Sequence, residues 1–285
     1  MNKQALNHAQ FTECISESAE FLYRLKNYIP RETPQYRFQI VLGELVRRAA
    51  LQVFAVNKLI DVFTGTENGK PDLGFKQPIF TLLRPLVADA ILILYLTDKL
   101  EVKGNKSDMQ VSNEEEFWRR YDAHKAYALR RGEKQSKALL SNKDITPKDR
   151  TRIVEIIKDW KSQNAHFYDH EKGGLKGISG VEIRVEGMKS KIENNKAYAS
   201  KLYSHYFELS QYEHFSGVTE NLMNSQDLTY SDFDRIIEYL YDILRCQRLT
   251  LLFLNLEDKS YEREIDELTA RIKGRMIEGI VQTDR

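Results

Sequence analysis

The stretch Gln77–Lys99, QPIFTLLRPLVADAILILYLTDK, decides the fold. It is the most apolar run in the chain, yet it holds Arg84 and Asp89. A membrane span needs about twenty apolar residues with hardly a charge. This run is barely that long and carries an Arg-Pro pair in its first half, so it reads as the central helix of a soluble helical domain. Pro78 suits a first helical position, where its missing N–H costs little. Pro85 is expected to bend the helix or to mark its true start. At 100° per residue Arg84, Ala88, Ile91 and Tyr95 share one face, while Asp89 points about 140° away. An unpaired buried charge is expensive, so the two must find partners on different helices. Arg84 is then either a structural tie between helices or a site residue.

Composition agrees with a helical reading. Charged residues make up 30% of the 285, with only 14 glycines and 6 prolines, the profile of an all-α protein. A single domain over 1–285 is expected, with seven to nine helices. Its core would span about 35–255, between an N-terminal helix within 1–30 and an amphipathic C-terminal helix over 258–285. A net charge of +1 gives no global field toward nucleic acid or an acidic substrate. The charge is uneven, however. Arg119 to Arg152 holds eleven basic and four acidic residues, a net of +7, and Asp227 to Glu267 a net of −6. Arg119, Arg120, Arg130 and Arg131 are the candidates for binding nucleic acid; a solvated helix face is the plainer account of such runs. The two cysteines, Cys14 and Cys246, lack metal or disulfide spacing. No cofactor and no metal site is expected. The N-terminus has no apolar signal-peptide core, and the expected location is cytoplasmic, without a membrane.

Working outward, Lys3–Tyr28 reads as an amphipathic helix with Phe11, Ile15, Phe21, Leu22 and Leu25 on its apolar side. Tyr36 to Phe63 is a second helix, with apolar residues stepping by three and four from Phe38 to Ile60. Thr64 to Gly74 is a loop by its turn residues. Ser112 and Glu115 have capping-box spacing before a helix that runs to Leu140, and Pro147 opens another. Residues His170 to Ser190 hold five of the glycines and form the least regular region, with a short helix near Val181 to Lys191. Helices follow from Asn195 to Val218, after a Ser231–Asp234 cap, and from Asp258 to Ile280. The last shows Ile265, Leu268, Ile272, Met276 and Ile280 on one side, a surface for the body or for a homo-oligomer.

The constellation closest to chemistry is Tyr203, Ser210 and His214. At i, i+7 and i+11 they share one narrow stripe, where an ordinary core helix would carry Leu and Val. His214 facing a cleft could move a proton near neutral pH; the alternative is a half-buried polar groove with satisfied partners.

These residues carry a resemblance. An apolar helix with Arg near its start (Leu82-Leu83-Arg84 and the run after it), followed later by Tyr-x6-Ser-x3-His, resembles domain-of-unknown-function family 5677, all-helical bacterial proteins. Gly187, sixteen residues before Tyr203, is similar too. The family usually places an acid four residues after the arginine; here that place is Ala88 and the acid is Asp89. The resemblance covers roughly residues 35 to 255. It implies that Arg84, Tyr203, Ser210 and His214 meet across two helices, and it supplies no reaction.

A neighbouring likeness is to the HEPN superfamily, helical bundles that often act as metal-independent ribonucleases in defence systems. Its Arg-x4-6-His pattern is met by Arg119 and His124, but these lie about 140° apart on one helix and His124 shares a face with Phe117 and Tyr121. Arg84 with His214 is the better acid–base pair. His166 and His170 have a metal-gripping i, i+4 spacing without a third ligand. The expectation is a helical protein of a bacterial accessory system such as antiphage defence, working on an RNA or protein partner. The alternatives are a metal-independent endoribonuclease and a structural oligomer.

Overall fold

The computed structural model describes residues 3–64, 76–104, 108–163, 165, 168–169, 174–175, 183–212 and 228–283. Among them the chain is all-α. The helices are α1 (Lys3–Tyr28), α2 (Arg37–Thr64), α3 (Lys76–Thr97), α4 (Glu114–Leu140), α5 (Pro147–Gln163), α6 (Val185–Ser190), α7 (Lys196–Ser210), α8 (Tyr230–Leu254) and α9 (Ser260–Thr283). A 3₁₀ turn, Ile29–Arg31, links α1 to α2. Two small antiparallel hairpins, β1 (Glu101–Lys103) with β2 (Gln110–Ser112) and β3 (Tyr168–Asp169) with β4 (Gly174–Leu175), are the only strands among the described residues.

Helix α3 is central: α2, α4, α6, α7 and α8 all pack against it. It is long and apolar enough to cross a membrane, but 72% of its most apolar window is buried inside the protein. Pro85 lies inside it, and the helix runs unbroken from Lys76; the start is not at Pro85. The α1 apolar side (Phe11, Ile15, Phe21, Leu22, Leu25) and the α2 stripe from Phe38 to Ile60 are buried. Phe63, Trp160 and Ile280 have side chains outside the described residues, as does most of the Thr64–Gly74 loop.

Local chemistry corrects two caps. Asn113, in the left-handed region at φ 62°, precedes α4 without a side-chain cap. Ser112 instead belongs to β2, and its hydroxyl donates to Glu101 across the hairpin at 3.3 Å. For α8 the box is Thr229–Asp232, two residues earlier than expected, because Thr229 is the last extended residue and Ser231 is already helical. Asp232 also holds Lys76 at 2.9 Å, both side chains buried, which anchors the start of α3 to the start of α8. At the other end of α3, Asp98 Oδ1 accepts from the backbone N–H groups of Glu193 and Asn194 at 3.0 and 2.9 Å. Those bonds fix where α7 begins. In α9, Ile265, Leu268 and Ile272 are buried against the chain itself, through contacts with α1 and α8.

Candidate functional site

Helix phase sends Arg84 toward α7. Its Nε donates to Ser210 Oγ at 3.1 Å and its Nη2 to the Tyr206 hydroxyl at 2.9 Å. The guanidinium carbon lies 4.8 Å from the centre of the Tyr206 ring. Ser210 in turn donates to the Tyr206 carbonyl at 2.7 Å. Arg84 and Ser210 therefore do meet across two helices, with Tyr206 as the third member. This set works as a clasp between α3 and α7, reinforced by Phe80 stacking on Tyr212 at 4.5 Å. Tyr203 lies one turn along, 6.4 Å from Tyr206 between ring centres. His214, His166 and His170 lie outside the described residues.

Asp89 points the other way, as its phase requires, and meets Arg48 of α2 at 2.9 Å. Asp89 thus serves Arg48, while Arg84 bonds the Ser210 and Tyr206 hydroxyls. Beside this pair opens a cleft of about 510 Å³. Its walls come from α3 (Pro85, Ala88, Asp89), α4 (His124, Tyr127, Arg131), the α6 region (Arg184, Glu186) and α7 (Tyr203, Tyr206). Three arginines and two carboxylates line it, one of the carboxylates already paired with Arg48.

Two buried atoms in the cleft, Asp89 Oδ2 and His124 Nδ1, make no hydrogen bond among the described residues. Burial pushes the Asp89 carboxyl up to about 6, with Arg48 pulling it back. Burial also brings the His124 imidazole down to about 4, and Arg48 adds to that effect. At neutral pH the cleft therefore presents an ionised carboxylate and a neutral imidazole, each with an open hydrogen-bonding position.

The basic middle segment divides. Arg120 is buried: it donates to the Tyr95 carbonyl, pairs with Glu116 at 2.7 Å and sits 3.9 Å from Asp98. It braces α4 on α3 and offers no surface to nucleic acid, which corrects the expectation for that residue. Arg119 is held by two hydrogen bonds to Glu116, at 2.6 and 2.8 Å. Arg131 is exposed and lines the cleft. The Arg130 side chain is outside the described residues. Arg119 and His124 do not form a pair; His124 faces the cleft and Arg119 faces Glu116.

Sequence reasoning missed a second buried cluster. His205 Nε2 lies 2.9 Å from Asp242 Oδ2, and Lys201 reaches Asp242 at 2.8 Å and Glu238 at 3.1 Å. Its signal was present as two i, i+4 pairs of opposite charge, Lys201/His205 on α7 and Glu238/Asp242 on α8. Ligand atoms of His205, Glu238 and Asp242 lie within 4.8 Å of one another, but the Lys201 ammonium occupies the position a cation would take. Burial raises the Asp242 carboxyl, and the hydrogen bonds from His205 and Lys201 outweigh it, leaving it below its ordinary value.

Comparison with known proteins returns nothing: no family model, no curated protein and no solved structure matches this chain. The functional reading rests on the geometry of the cleft.

Proposed function

We propose that the protein binds single-stranded RNA, with one ribonucleotide entering the cleft between α3, α4 and α7. The observation that carries this reading is the pair of buried, unpartnered atoms, Asp89 Oδ2 and His124 Nδ1, in a cleft that also holds Arg48, Arg131 and Arg184. A buried polar atom without a partner costs about 1–3 kcal/mol, and a ligand hydroxyl pair would satisfy both. A ribose supplies such a pair, and arginines suit the flanking phosphates. Tyr203 and Tyr206 give an aromatic wall of the kind that bases stack on. The volume falls in the range of small-molecule sites, roughly 300–1,000 Å³. A setting in bacterial defence belongs to the same proposal and is supported by the family resemblance alone.

The test is fluorescence anisotropy with a short labelled RNA and the DNA of the same sequence. RNA should bind more tightly than DNA, and Arg131→Ala should weaken RNA binding about tenfold and lower the salt slope by about one. Equal affinity of RNA and DNA, or an unchanged Arg131→Ala variant, would sink the reading.

A second reading, metal-independent cleavage, is favoured by the same two groups. A neutral His124 could take the 2′-hydroxyl proton as O2′ attacks phosphorus. The P–O5′ bond would break, with a proton from the protonated fraction of Asp89 or from water passing to the leaving oxygen. The products would be a 2′,3′-cyclic phosphate and a 5′-hydroxyl, formed in EDTA. In this reading His124 and Arg48 carry the roles first assigned to His214 and Arg84, since Arg84 is engaged with α7.

A further inference from the structure

Nine large apolar side chains are exposed among the described residues, and five of them, Tyr23, Ile40, Leu51, Phe54 and Val62, belong to α1 and α2. On α2 the four fall within an arc of about 80°, opposite the buried stripe of Leu42, Leu45, Ala49, Val53 and Val56. Helix α2 thus has two apolar faces, one packed on the core and one open. Tyr23 of α1 adds to the open face, 5.9 Å from Phe54 between ring centres. Such a stripe on the solvent side of a helix marks an interaction surface.

The order of residues along the stripe indicates its occupant. Ile40 stands eleven residues before Leu51 and Val62 eleven after; Glu44 stands seven before and Lys58 seven after. We propose that a second copy of this chain docks here, α2 against α2 in antiparallel sense, on a two-fold axis through Leu51. In that register Leu51 meets Leu51, Ile40 faces Val62, and Glu44 faces Lys58, the last two each occurring twice by symmetry. A parallel pair would set Glu44 on Glu44 and Lys58 on Lys58, so the charges select the antiparallel sense. Within one chain Glu44 pairs with Arg47 at 3.0 Å and Lys58 with Asp61 at 3.0 Å. These are exposed pairs that cost little to redraw. From Ile40 to Val62 the stripe is about 33 Å long, enough for a helix-pair interface. Ile265, Leu268 and Ile272 of the α9 stripe are already buried within the chain, so among the described residues α2 is the better face for self-association.

Sedimentation equilibrium on the full chain tests this. The wild type should weigh twice its 33.4 kDa and dissociate on dilution. Glu44→Lys and Lys58→Glu should each weaken the dimer about tenfold, and the double swap should restore it, a rescue that only the antiparallel register gives. Leu51→Cys should cross-link with itself under mild oxidation; the native cysteines are both buried, so wild type supplies the blank. Thermal unfolding of each variant confirms that it is folded, as expected for exposed positions. A wild type that stays monomeric at every concentration would overturn the proposal and assign the stripe to a different partner. A double swap that fails to restore dimer, or a folded Leu51→Cys that does not cross-link, would overturn the register.

Discussion

Two buried aspartates, Asp89 in α3 and Asp242 in α8, each have a histidine and a cation nearby, yet they behave as opposites. Asp242 is closed in by α7: His205 and Lys201 both bond its Oδ2, its Oδ1 has no partner among the described residues, and its carboxyl sits below the ordinary value. Asp89 is open to a cleft: Arg48 takes one oxygen, the other has no partner among the described residues, and burial raises the carboxyl to about 6. Both are buried carboxylates on long apolar helices. The difference lies in the neighbouring wall. α7 and α8 are in direct contact around Asp242, whereas α3, α4 and α7 leave a cleft beside Asp89. Each aspartate keeps one oxygen without a partner among the described residues, and only that of Asp89 stands beside a cleft that a ligand can enter.

The largest expected effect follows from the closed site. Asp242→Ala removes the acceptor that His205 and Lys201 share between α7 and α8, which should cost on the order of 3 kcal/mol in urea unfolding. Asp89→Asn, measured at pH 8 where Asp89 is ionised, should cost far less, because it removes a charge that burial disfavours. Equal losses in the two variants would show that the cleft is as tightly built as the Asp242 cluster.

A smaller effect separates Asp89 from His124 by pH. A carboxyl raised from 3.8 to about 6 stabilises the fold below pH 4, and that contribution is lost as pH rises through 6. An imidazole lowered from 6.5 to about 4 stabilises the fold above pH 6.5, and that contribution is lost as pH falls through 4. The two oppose each other in one window and should leave the wild type nearly level. Asp89→Asn should therefore lose stability between pH 6.5 and 4, by on the order of 2–3 kcal/mol. His124→Asn should gain stability over the same range. Parallel slopes in the two variants would contradict this account.

How much of this was legible beforehand depended on whether the signal was local. Helix α1 was read to the residue, and α2 and α3 to within two, because apolar periodicity over more than twenty residues is a local property of the sequence. The opposite facing of Arg84 and Asp89 followed from 100° per residue alone. What helix phase cannot give is which helix comes to meet each charge. That is why nothing along the α2 stripe marks Arg48 as the partner of Asp89, and why Arg120, placed on a basic surface, proved to be a buried brace. The cleft depends on five elements at once, and no spacing within one segment encodes it. The hairpins were missed for another reason: three-residue strands are too short for alternation to show.

The smallest effect tests whether the Arg84 clasp belongs to the fold or to the cleft. Ser210→Ala removes one acceptor from Arg84 while Tyr206 retains the other, so about 1 kcal/mol of stability should be lost. RNA affinity should stay unchanged, because Ser210 is not among the residues lining the cleft. Tyr206→Phe removes the other acceptor and leaves the ring on the cleft wall, and it should behave the same way. If either variant lost RNA binding while its unfolding curve held still, Arg84 would belong with the open site, and the division between a structural clasp and a binding cleft would have to be redrawn along α7.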